Sequence, residues 1–81
     1  MTELYEKISD ENFDLILRSL EERSKMPDFT LQNIIGELDS LYKYEGLDGE
    51  GRGEVKQAEL EGSILAYEVF IDRIKHPEKA Q

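Results

Sequence analysis

Side-chain chemistry needs groups that carry or move charge, and here they crowd into one stretch, Asp48-Gly49-Glu50-Gly51-Arg52-Gly53-Glu54. Carboxylates alternate with glycines that allow the backbone to fold closely, and one guanidinium stands among them. Such a segment can offer oxygen atoms to a cation, or backbone N–H groups together with Arg52 to an anion at a helix start. Asp48, Glu50 and Glu54 oppose the second use. A nucleotide-hydrolysing loop would also need a lysine followed by Ser or Thr and a preceding strand, and the sequence supplies neither. Elsewhere reactive groups are sparse. The single histidine, His76, precedes Pro77 at an expected helix end, where its simplest role is to complement the helix dipole. No cysteine is present, which excludes a thiol nucleophile, a disulfide framework and a thiolate metal site. Adjacent acids such as Glu21 and Glu22, or Asp10 and Glu11, suit solvated surface or first-turn positions. With no nucleophile–base set to assemble, no catalytic, cofactor or metal residue is assigned, and the expectation is a protein that is not an enzyme.

From Asp48 to Glu59 the residues run Asp-Gly-Glu-Gly-Arg-Gly-Glu-Val-Lys-Gln-Ala-Glu. This string resembles the twelve-residue calcium loop of the EF-hand family, with Asp48 at the first ligand position, Glu50 at the third, Gly53 at the sixth, Val55 at the apolar eighth and Glu59 at the bidentate twelfth. The resemblance implies a single calcium-binding loop over 48–59. Arg52 departs from it by putting a fixed positive charge at the fifth position, where the family supplies an oxygen, and Glu50 replaces the usual Asp at the third. The resemblance is confined to this segment, and the chain carries no second such loop.

The elements that must position these residues are helical. In Ile8-Ser9-Asp10-Glu11-Asn12-Phe13, Ser9 reads as an N-cap, acids follow in the first turn, and Ile8 can staple onto Phe13. Phe29-Thr30-Leu31-Gln32-Asn33-Ile34 repeats the design with Thr30 as cap. A first helix is therefore expected from about Asp10 to Lys25, with Phe13, Ile16, Leu17 and Leu20 on its core stripe and Glu21, Glu22 and Arg23 solvated. Pro27 enforces its end. Leu4, Tyr5 and Ile8 share helical spacing, which suggests a short extra turn before it. A second helix is expected from Leu31 to Tyr44, with Leu31, Ile34, Ile35, Leu38, Leu41 and Tyr42 as its apolar set. A glycine-rich loop at 45–53 leads to a third helix from Glu54 to Lys75, stopped by Pro77. The fold class is all-α: an antiparallel three-helix bundle forming one domain over residues 1–81.

The third helix is apolar over most of its circumference. Leu60, Ile64, Tyr67, Ile71 and Ile74 form one stripe, and Ala58, Gly62, Leu65, Val69 and Phe70 widen it. So broad an arc must be covered from more than one direction, by the two other helices or by a second copy of the chain. Ala58, Gly62 and Ala66 recur every four residues and admit a close helix crossing. At 81 residues a single core is close to its lower limit, so homodimerisation through this helix is expected, with Ile64, Tyr67, Ile71 and Ile74 at the contact. Tyr42 and Tyr44 cannot both face the core from one helix, which makes Tyr44 a contact candidate beside Arg52.

Nineteen acidic side chains against ten basic ones give a formal net charge of −9. That balance argues against direct binding to nucleic acid or to an anionic membrane, since either needs clustered Lys and Arg. The expected partner is a protein, one with a basic surface. The start of the chain lacks the basic and apolar runs of a secretory signal, and no segment is long and apolar enough to span a bilayer, so a cytoplasmic setting is expected. Three functions from different classes follow: a small regulatory or adaptor protein acting through protein contacts, an acidic mimic of nucleic acid that blocks a basic partner, and a divergent calcium-binding loop.

Overall fold

The computed structural model describes residues 2–47 and 53–77. Three α-helices account for nearly all of them: α1 (Thr2–Arg23), α2 (Leu31–Leu47) and α3 (Gly53–Lys75). At the start of α2 the Thr30 hydroxyl accepts a hydrogen bond from the Asn33 amide at 3.2 Å, the N-cap geometry that its residue type favours. At the end of α1, three-residue turns close the chain before Pro27, with the amides of Lys25 and Met26 donating to the carbonyls of Glu22 and Arg23. Such tightening satisfies carbonyls that a helix end leaves free.

The first helix departs from expectation. It begins at Thr2, so Ser9 lies in its interior and caps nothing, and the short extra turn is the first part of α1 itself. A capping signal is worth only about 1 kcal/mol, and no glycine or proline interrupts the apolar spacing of Leu4, Tyr5 and Ile8. Packing against α3 therefore decides the boundary. The expected loop shrinks as well: 45–47 belong to α2, Gly53 opens α3, and 48–52 lie outside the described residues. Gly53 has φ near +83°, a conformation that residues with a Cβ rarely adopt.

Helices α1 and α3 run parallel, since Asn12 meets Ser63 near their middles and Glu21 meets Arg73 near their ends. Helix α2 runs against them, with Phe29 just before it stacked edge-on to Phe70 at 6.1 Å between ring centroids, and Glu45 near its end sharing a groove with Glu61. Both α1 and α2 pack on α3, while their own backbones do not come close to each other. The core joins Leu20, Ile34 and Leu38 to Leu60, Ile64, Phe70 and Ile71 of α3. Much of the broad apolar arc of α3 is thus covered from two directions within one chain, while Leu65 and Ile74 stay exposed. At 22 residues, about 33 Å, α1 is long enough to lie along almost all of α3.

The seam between these two helices turns on Gly62, which is buried together with Ala58 and Ala66. A Cβ at position 62 would stand 3.1 Å from the Phe13 amide nitrogen and closer still to the Ser9 carbonyl oxygen. Both are backbone atoms and cannot rotate aside. Gly62→Ala is therefore expected to lower stability in urea unfolding by about 1–2 kcal/mol, because overpacking of about 1–3 kcal/mol outweighs a helix-propensity gain of about 1 kcal/mol. Gly36→Ala, where nothing lies within 4 Å of the added methyl, is expected to raise stability by up to about 1 kcal/mol. Equal effects at the two sites would refute the close crossing.

Candidate functional site

The residues expected at a partner contact part company in the folded chain. Ile64 and Ile71 are 8% and 9% exposed and belong to the chain's own core. Tyr67 is half-buried and packs against the same cluster. Ile74, at 40% exposure, and Tyr44, at 51%, are on the surface. Tyr42 is also exposed, at 43%, and its hydroxyl donates to the Glu68 carboxylate. Arg52, Asp48 and Glu50 lie outside the described residues.

The first five positions of the calcium-loop pattern, 48–52, lie outside the described residues. Because α3 starts at Gly53, the sixth to twelfth positions of the pattern are helical. The backbone carbonyl at position 54, which the EF-hand pattern would turn to the ion, instead lies in a helix, where carbonyls serve the amide four residues on. Among the described residues, no group of three or more potential ligands comes together.

One polar cluster links all three helices. Both terminal nitrogens of Arg23 in α1 donate to the two carboxylate oxygens of Glu37 in α2, each at 2.7 Å, and the Tyr67 hydroxyl in α3 donates to Glu37 Oε1 at 2.7 Å. Paired with Arg23 and hydrogen-bonded by Tyr67, Glu37 is held below the usual carboxylate range. The same carboxylate raises the pKa of Arg23. Burial, then the hydrogen bond to Glu37, pushes the Tyr67 phenol up to about 12. The hydrogen bond to Glu68 does the same for Tyr42, also to about 12. With the Arg23 and Glu37 side chains about two-fifths exposed, the ion pair is worth about 1 kcal/mol or less. Its effect is to fix the helices relative to one another. The local pattern of α1 alone places Arg23 in solvent. Its position carries a signal all the same: Arg23 and Glu37 each stand three residues beyond one of the two largest fully buried side chains, Leu20 and Ile34, and so at the edge of the core stripe.

A second cluster fastens α1 to α3 beside Gly62. The Asn12 side-chain amide donates to the Glu59 carbonyl at 2.5 Å and to Ser63 Oγ at 2.6 Å, while the Ser63 hydroxyl donates to the same carbonyl at 2.9 Å.

Two surface grooves combine apolar side chains with carboxylates. A groove of about 270 Å³ is lined by Ile8, Glu11, Asn12 and Leu15 of α1 and by Val55 and Glu59 of α3. Another, of about 280 Å³, is lined by Ser9, Glu45, Glu61, Ile64, Leu65 and Glu68. Leu15 is 63% exposed, and Val55 and Leu65 are 50% exposed. A third hollow, at the turn between α1 and α2, contains Arg23, Asp28 and Asn33, but the Arg23 guanidinium is already engaged by Glu37. No helix among the described residues is long and apolar enough to cross a membrane. No protein-family model, curated protein or solved structure matches the chain.

The polar clusters set a pH dependence. Because the folded pKa of Glu37 is lowered, its contribution to stability is present above the ordinary carboxylate range and is lost as pH falls through the folded value. Because that of Tyr67 is raised, its contribution is complete below the free phenol value and is lost as pH rises towards about 12. Tyr42→Phe and Tyr67→Phe are each expected to remove one phenol from the fraction ionising near 12 in a tyrosinate absorbance titration. Each variant is expected to flatten part of the alkaline decline in stability, and an unchanged late fraction in Tyr67→Phe would refute the raised phenol value at that position.

Proposed function

We propose that this chain is a small acidic helical domain that works by binding another protein, one presenting a basic surface. Its exposed apolar side chains support this most directly. Leu15, Val55 and Leu65 are half exposed or more, and each stands in a groove whose charged lining, among the described residues, is glutamate. Burying such side chains against a partner gives about 25 cal/mol per Å² of apolar area. The surrounding carboxylates speed encounter with a cationic surface and disfavour an anionic one. The net charge of −9 extends that bias over the molecule.

Self-association through α3 would call on Ile64 and Ile71, which the chain's own core holds. A second copy would also set glutamate against glutamate at either groove. We therefore put a basic partner ahead of a homodimer. A second function draws support from Glu45, Glu61 and Glu68 lining one groove: carboxylates standing in for nucleic-acid phosphates, so that the chain occupies a basic groove meant for DNA or RNA.

Capture from native lysate, purification of the captured protein and rebinding to defined variants distinguish these possibilities. The expected partner has a high isoelectric point and loses affinity for Leu15→Asp or Leu65→Asp, yet keeps measurable binding in raised salt through its apolar contacts. Binding that vanishes in salt and ignores both leucines would support the nucleic-acid mimic instead. Light scattering after size exclusion at micromolar concentration is expected to give a monomer, and a dimer would reverse our ordering of the partners.

A further inference from the structure

We infer that the groove between α1 and the start of α3 is the docking site for an amphipathic helix with basic flanks, carried by the partner protein. The inference rests on the chain's being a protein-binding domain, and it names the place and the occupant.

Helix α1 carries two apolar stripes. Phe13, Ile16, Leu17 and Leu20 form the first, and the last three belong to the core or pack on it. Leu4, Ile8 and Leu15 form the second, with successive spacings of four and seven residues. At about 100° per residue these three share one narrow face, roughly two-fifths of a turn from the core stripe. That repeat presents a seam to a neighbouring helix, in the manner of one strand of a coiled coil but with Glu11 in place of an apolar residue between Ile8 and Leu15. Leu4 is 59% exposed and Leu15 63%, and the backbone of α2 does not approach α1. No described helix of this chain lies over the seam. Val55 widens it from the α3 side. From Leu4 to Leu15 the seam rises about 16 Å, or three helical turns, enough for a short helix to lie along it.

Charge selects the occupant. Glu11 and Glu59 are the charged residues lining the groove. The neighbouring exposed charges on α1 are Glu3, Lys7, Asp14, Arg18 and Glu22, so carboxylates outnumber cations around the seam. A helix with leucine-like residues on one face and Lys or Arg beside them would cover Leu15 and Val55 and pair with Glu11 and Glu59. A second copy would bring the same two glutamates against their own equivalents, between molecules each carrying −9.

The test is amide chemical-shift mapping on the intact, isotopically labelled chain, titrated with a synthetic helical peptide bearing leucine on one face and lysine on the other. Shifts are expected to concentrate at Leu4, Ile8, Leu15, Val55 and Glu59. Leu15→Glu is expected to weaken binding about tenfold or more, a loss of about 1.4 kcal/mol or more, whereas Leu65→Glu leaves it unchanged. A peptide with glutamate in place of lysine is expected not to bind. Unchanged circular dichroism of Leu15→Glu, whose site is exposed, ties its loss to the groove. Shifts centred on Leu65, equal binding of the glutamate peptide, or no saturable binding overturns the proposal. So does a dimer that Leu15→Glu dissociates, which would give the groove to a second copy. If the lysine peptide fails while a captured basic partner still depends on Leu65, the docking site is wrong and the proposed function stands; if both fail, both fall.

Discussion

Everything else in this structure depends on how near α1 comes to α3. At Gly62 the backbone of one helix rests against the Ser9 carbonyl and the Phe13 amide of the other, a separation that leaves no room for a side chain. Glycine in mid-helix costs about 1 kcal/mol relative to alanine, and the close contact offsets that by letting Ala58 and Ala66 be fully buried on either side. The same approach brings the Asn12 amide within reach of Ser63 and the Glu59 carbonyl. Steric fit and hydrogen bonding thus set one register for the two longest elements.

With α1 laid along α3 in parallel, α2 must return between their ends, and the polar cluster of Arg23, Glu37 and Tyr67 marks where all three meet. Its members lie on three different helices, and each hydrogen bond constrains two of them at once. A partly exposed ion pair adds little to stability, but its two-pronged geometry admits few helix orientations. Phe29 against Phe70 closes the same end with apolar contact. Shape and polarity act together there, the first supplying the free energy and the second the alignment.

The chain's own helices cover the core stripe of α3, and the apolar surface left over includes the outer face of α1 together with Val55 and Leu65 of α3. These side chains stand among glutamates, so the surface that can gain by burial is also the surface that repels an acidic neighbour. The partner proposed above is accordingly apolar and cationic together. This is a stronger restriction than net charge alone, which would tolerate any basic surface.

Several elements could be read directly from local pattern. Thr30 caps α2, Pro27 and Pro77 end helices, and the stripes of Ile34 and Leu38 or Leu60, Ile64 and Ile71 face the core, because capping chemistry, proline sterics and helical periodicity all act within a few residues. The start of α1 could not be read that way: the Ser9 signal competes with packing against α3, some fifty residues away in sequence, and the longer-range effect is the larger. The broad apolar arc of α3 shows that close burial is required, and of the two covers weighed from it, the other helices or a second copy, the sequence favours the copy; the long α1 that lies along α3 is not legible in that arc. Arg23 looked solvated because its partner lies across a turn on another helix. Local composition determined which faces must be hidden; only the tertiary arrangement decided what hides them, since that depends on which distant backbones can approach closely enough, and at Gly62 they can.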